Sequence, residues 1–122
     1  MKIYISHASS YDYENELYKP IRQSEAYKHH EFFLPHESQN IDKPAKEILA
    51  HVDLLIAEAS YPSTGQGIEL GLASAANVRI ICLYRESTRP SGALRFVTSD
   101  IIQYVDDKDL IRKITGLLAD DN

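Results

Sequence analysis

DLLIAEASYPSTGQGIELG, residues 53–71, is the stretch from which the fold of this chain can be read. Leu54, Leu55, Ile56 and Ala57 form a short apolar run bounded by turn chemistry, which is the signature of a buried strand. Ser60-Tyr61-Pro62-Ser63 makes the turn. Ser63 and Gln66 then stand at capping-box spacing, so a helix starts there, with Gly65 and Gly67 in its opening turns and Glu69 beyond them. A helix start offers unpaired N–H groups and partial positive charge, which attract anions and should keep a nearby carboxylate ionised. A positioned, ionised Glu69 at a pocket mouth has the chemistry of a nucleophile.

Working outward, the same alternation repeats. Lys2 to Ser6 is a β-prone first strand, followed by a small polar loop, His7 to Ser10. Tyr13, Leu17 and Ile21 recur at four-residue spacing and predict a helix from Asp12 to about Ser24, with Pro20 kinking it or ending it early. Glu25 to His30 reads as a polar turn and Phe32 to Leu34 as the second strand. Pro44 suits the first turn of a helix running to about His51, with Ile48 and Val52 facing inward. Arg79 to Tyr84 is an apolar fourth strand and Ile101 to Val105 a fifth. Ala93 to Val97 has room for one helical turn, Asp107 to about Ala119 is the closing helix, and 120–122 is read as a frayed tail. Apolar strands alternating with helices mean a parallel sheet covered on both faces. The expected fold is α/β: a doubly wound, flavodoxin-like five-stranded parallel sheet, with residues 1–122 as a single domain.

Composition narrows the function classes. At 122 residues the chain is long enough for one real core, and 43% hydrophobic with 25% charged residues suits a globular protein. The net charge, 13 − 18 = −5, argues against a nucleic-acid polymer or a polybasic membrane anchor as partner. No apolar run approaches membrane-spanning length, and MKIYISH lacks a signal-peptide core. The one cysteine, Cys82, lies inside an apolar strand, so a disulfide within the chain is excluded and a cytoplasmic site is the default. The five histidines show no metal-ligand spacing, and neither metal nor cofactor is expected.

Ligands of open parallel sheets bind outside the carboxyl ends of the strands. That rule gathers Ser6, His7, Ser9 and Ser10 after strand one, His36 after strand two, Glu58 to Gly67 after strand three, and Arg85 to Ser91 after strand four. Hydroxyls, histidines, a helix start and a carboxylate around one cleft suit a sugar or sugar phosphate. Plainer readings stand beside this. Gly67, Gly71 and Ala75 could serve close helix packing, and Glu58 could simply bind turn amides. Arg85 and Arg89 could hold a phosphate or lie in solvent. The helix around Glu69 is apolar nearly all round, which implies burial on every side, between the sheet and a second subunit. A carboxylate there is costly unless it is functional or ion-paired.

The stretch DLLIAEASYPSTGQGIELGLA resembles the core motif of the nucleoside 2-deoxyribosyltransferase family, which includes the 2-deoxynucleoside 5′-phosphate N-hydrolases. The likeness runs from about Val52 to Tyr84 without a gap and continues into Arg85, and IYIS looks like the family's first strand. The resemblance implies that Glu69 attacks the anomeric carbon of a 2-deoxyribose, forming a glycosyl-enzyme that water or a second base resolves. It implies a nucleoside or nucleotide substrate, a homo-oligomer, Tyr4 as a partner in the site, and Ser63, Gly65 and Gly67 around the sugar or 5′-phosphate. Ser91 is the nearest candidate for the serine these hydrolases lend across a dimer interface. The chain departs from the pattern in two places. Where the family carries a helical Asp that handles the leaving base, this chain has Ala45, with Asp42 and Glu47 nearby, and His7 replaces a usually small residue. Two other readings remain open: a nucleotide-sensing module without turnover, and, from ISHAS after the first strand, a TIR-like NAD glycohydrolase.

Overall fold

The computed structural model describes residues 1–119; the expected tail at 120–122 lies outside the described residues. Five parallel strands, β1 (Lys2–His7), β2 (Glu31–Phe33), β3 (Leu54–Glu58), β4 (Arg79–Arg85) and β5 (Ile101–Tyr104), form one sheet in the order β2-β1-β3-β4-β5. The order reverses between β1 and β3, the switch point of a flavodoxin-like sheet.

Side chains alternate across this sheet and build two cores. On one face Ile3, Ile5, Leu54, Ile56, Ile81 and Leu83 pack against Leu17, Ile21, Leu110 and Ile114. These come from α1 (Lys19–Arg22), the π-helical turn that precedes it (Glu14–Tyr18), and α5 (Asp107–Ala119). On the other face Tyr4, Leu55, Ala57, Ile80 and Cys82 meet Leu49 of α3 (Ala45–Leu49) and Leu70 and Ala73 of α4 (Thr64–Ala75). Each fully buried Leu or Ile contributes about 2 kcal/mol. The doubly wound α/β arrangement expected from the sequence is present.

Several local readings change. Pro20 does not end the first helix at once. The turn before it widens, so that Lys19 N–H donates to Glu14 C=O, and the helix continues to Arg22. A π turn accommodates the missing proline donor. Residues Glu25–His29 are a helix, α2, because the Ser24 hydroxyl caps it by accepting from Tyr27 N–H. Pro44 is the N-cap of α3 rather than part of its first turn, and Leu49 is its fully buried residue, with Ile48 and Val52 only partly covered. Helix α4 stops where Asn77 enters the left-handed region at φ 60°, which Asn tolerates better than most residues. A 3₁₀ turn, Gly92–Phe96, occupies the stretch expected to hold one helical turn.

The expectation that α4 is buried on every side is not met within the chain. Ile68 is 59% exposed, and Gly67, Gly71 and Ala75 lie on the open face. A Cβ added at Gly65, Gly67 or Gly71 would meet nothing within 4 Å, so close packing inside the chain does not account for these glycines.

Candidate active site

Helix α4 starts as its sequence requires. The Ser63 hydroxyl accepts from Gln66 N–H at 3.3 Å, and Gln66 Nε2 donates to the Glu58 carbonyl at 2.8 Å, fastening the helix start to the end of β3. One turn on, the Glu69 carboxylate crosses to β1. It accepts from the Tyr4 hydroxyl and, at 2.9 Å, from Ser6 Oγ. Tyr4 and Ser6 stand two apart on one strand and therefore project to the same face. The Tyr4 ring is stacked on Phe33 of β2 at 5.2 Å, which fixes the direction of its hydroxyl.

The pKa of Glu69 is raised: burial outweighs the bonds from Tyr4 and Ser6 and the nearby charge of His36, all of which act to lower it. The helix start does not by itself hold this pKa down, since the dipole acts over the first turn and Glu69 lies beyond it. Burial and the bond to Glu69 push the Tyr4 hydroxyl well above its usual range, so it stays a donor. No cation forms an ion pair with Glu69 among the described residues, and the purely structural ion-pair reading loses its partner.

His7 is corrected from a loop residue to the last residue of β1, 5% exposed, on the face opposite Tyr4 and Ser6. Both of its ring nitrogens are engaged. Nδ1 lies 2.9 Å from Ala8 C=O and Nε2 lies 2.6 Å from the Tyr18 hydroxyl. Nδ1 therefore carries the proton and Nε2 accepts. Burial lowers the His7 pKa to about 4, with His36 adding to the effect. The Tyr18 hydroxyl also accepts from His36 N–H at 2.9 Å, tying the loop after β2 to β1. Tyr13 and His36 complete the group, each about 5 Å from the His7 ring. The sequence hint was the run of tyrosines after strand one, Tyr11, Tyr13 and Tyr18, of which only Tyr13 could be assigned by helical spacing.

Arg85 also departs from its expected role. It ends β4 with its side chain on the face opposite Glu69, 18% exposed, 3.0 Å from Asp107 and 3.1 Å from Glu16, and over the Tyr104 ring. It is neither a solvent arginine nor directed at the Glu69 carboxylate. Glu58 is structural, as its plainer reading had it. It is 2% exposed and accepts from Ser60 N–H, Ser60 Oγ and the Tyr104 hydroxyl.

Ser63, Gly67 and Ser91 share a cavity of about 240 Å³ between the start of α4 and the 3₁₀ turn. Gly65 is exposed beside it and Ser9 is exposed in the loop after β1. The Ser91 hydroxyl caps the 3₁₀ turn by accepting from Ala93 N–H. Ala45 packs partly against the second core, while Asp42 and Glu47 are exposed, and Glu47 lines the groove between α3 and edge strand β2. Glu69 has its hydrogen bonds from Tyr4 and Ser6, and neither acid is bonded to it among the described residues. No cluster of metal-ligating side chains occurs among the described residues, and no helix among them is long and apolar enough to cross a membrane.

No family model matches the chain. A Trichoplax adhaerens protein named as a 2′-deoxynucleoside 5′-phosphate N-hydrolase is 38% identical over 61 residues, covering 48% of this chain and 42% of that protein. Human 5-hydroxymethyl-dUMP N-hydrolase is 51% identical over 39 residues, 32% of this chain and 22% of that protein. The aligned region is thus less than half the length of these curated relatives. A solved structure, the CMP N-glycosidase of Clostridium botulinum, superposes with a TM-score of 0.69 and 22% identity, over 94% of this chain and 99% of that one. Part of the sequence is similar to named N-hydrolases, and the fold is shared with that solved structure.

Proposed function

We propose that the chain cleaves the N-glycosidic bond of 2-deoxyribonucleoside 5′-monophosphates, with Glu69 as nucleophile. The observation that carries this reading is the Glu69 carboxylate held by Tyr4 and Ser6 at the β1/β3 switch point. Cleavage passes through an oxocarbenium-like state, and a carboxylate beside the anomeric carbon both stabilises that charge and captures it. Two donors aimed at one carboxylate set its direction, so that attack needs no search for a rotamer. Water then releases the sugar from the glycosyl-enzyme. Similarity to N-hydrolases supports water over a second base as the acceptor.

The cavity bearing Ser63, Gly67 and Ser91 at the start of α4 supports a place for the 5′-phosphate. The exposed face of α4 around Ile68 supports a homo-oligomer contact. The test is release of free base from a panel of deoxynucleosides and their 5′-monophosphates, read by chromatography beside Glu69→Gln. Base released from monophosphates and lost in the variant is the expected result. Base exchange between nucleosides would make the protein a transferase. Tight binding without release, unaltered by Glu69→Gln, would leave a nucleotide-binding module and end the enzyme reading.

A further inference from the structure

A nucleobase is a poor leaving group unless a proton reaches it as the C1′–N bond breaks. A carboxylate serving as nucleophile cannot also deliver that proton, so a second titratable group is required. Ala45 cannot be that group, and the acids flanking it, Asp42 and Glu47, are exposed, with Glu47 facing the groove between α3 and β2.

Several other side chains around the site can carry a proton; Tyr11 and Tyr13 are phenols, intrinsically far weaker acids than an imidazolium. Tyr4 is committed to Glu69. Tyr18 is fully buried and donates to His7, while His7 holds its single proton against Ala8 C=O. His36 remains. Its backbone is pinned by the Tyr18 hydroxyl, and its half-buried ring rests on His7 at 4.9 Å and edge-on to Tyr13 at 5.1 Å. The ring itself makes no hydrogen bond to any described residue. His36 is thus aimed by its neighbours and yet has its own nitrogens open.

We propose that His36 is the proton donor to the departing base, with His7 and Tyr18 as the positioning pair that holds it. This rests on the glycosidase reading of Glu69. As a Glu69 oxygen bonds to C1′, the C1′–N electron pair passes to the base, and the base takes a proton from the His36 imidazolium. Neutral His36 then removes a proton from the incoming water as its oxygen bonds to C1′ and the ester to Glu69 breaks. The charge of His36 also acts on Glu69 in the required sense, favouring the ionised nucleophile.

The experiment compares wild type with His36→Gln on two substrates: a deoxynucleoside 5′-monophosphate, and 2-deoxyribose 5-phosphate carrying 4-nitrophenolate at C1, which leaves without a proton. In a single turnover, the step before water attacks, the variant should lose about 10²- to 10³-fold in the rate of base release from the nucleotide and less than about tenfold in the nitrophenolate burst. Retained nitrophenolate release shows that the variant is folded and that Glu69 still works. Equal losses on both substrates, or no loss on either, would overturn the assignment of His36. Release of neither product by the wild type would instead overturn the glycosidase reading, and the assignment with it.

Discussion

The Tyr4 hydroxyl donates to the carboxylate of Glu69, 65 residues further along the chain, joining the middle of β1 to the second turn of α4. The bond favours the charged carboxylate, whereas burial disfavours it more strongly. Removing the hydroxyl therefore raises the Glu69 pKa further. Tyr4→Phe should keep the fold, because its ring still stacks on Phe33. It should lower kcat/KM by about 10- to 100-fold and move the acid limb of the pH–rate profile to higher pH. An acid limb unmoved in the variant would mean that Glu69 ionisation does not govern turnover.

His7 ties acid stability to one buried ring. Its pKa is about 4 in the folded chain and ordinarily 6.5, so between those values the unfolded chain binds the proton and the folded chain does not. Stability contributed by neutral His7 is complete above pH 6.5 and is lost as the pH falls toward 4. The loss should be about 3 kcal/mol across that window. His7→Gln lacks this titration. Its urea midpoint should be lower than that of wild type at pH 7, with the gap narrowing as the pH drops to 4.5. A constant gap would show that His7 is not the group responsible.

The fold was legible in the sequence because apolar runs such as Leu54 to Ala57 and Arg79 to Tyr84 have one physical solution, a strand covered on both faces. The pairing of Glu69 with Tyr4 and Ser6 was less so. The motif singled out Glu69, but only the register that sets Tyr4 beside Leu55 and Ser6 beside Ala57 brings the two hydroxyls toward α4. The role of Arg85 was misread for a related reason. Loop position put it near the cleft, and strand alternation, which extends one residue further than the apolar run, turns it to the other face. The His7–Tyr18–His36 group joins three separate elements and leaves no periodic trace in the sequence.

Arg85 should behave as a structural cation. Arg85→Ala removes two ion pairs and the stack on Tyr104, all partly shielded from solvent. Denaturation should show a loss of about 1–2 kcal/mol, from packing as well as charge. KM for a 5′-monophosphate should stay within about twofold of wild type, as expected when only a remote structural contact is lost. A selective rise in KM with stability unchanged would restore the phosphate role that its place in the chain suggested.

Gly67 sets stability against binding. It lies inside α4, where glycine costs about 1 kcal/mol relative to alanine. Nothing within 4 Å opposes an added methyl group, so the ligand-free chain gains from Gly67→Ala and should melt about 4 °C higher. The same methyl group narrows the cavity shared with Ser63 and Ser91. If that cavity takes the 5′-phosphate, KM for monophosphates should rise roughly tenfold, equivalent to about 1.4 kcal/mol of binding. Turnover of the corresponding nucleosides, which place nothing there, should be unaffected. A residue that lowers stability without serving packing is the kind expected where function has set the choice. Higher melting with KM unchanged for both substrate types would move the phosphate elsewhere on the strand ends and leave the glycine to a contact outside this chain.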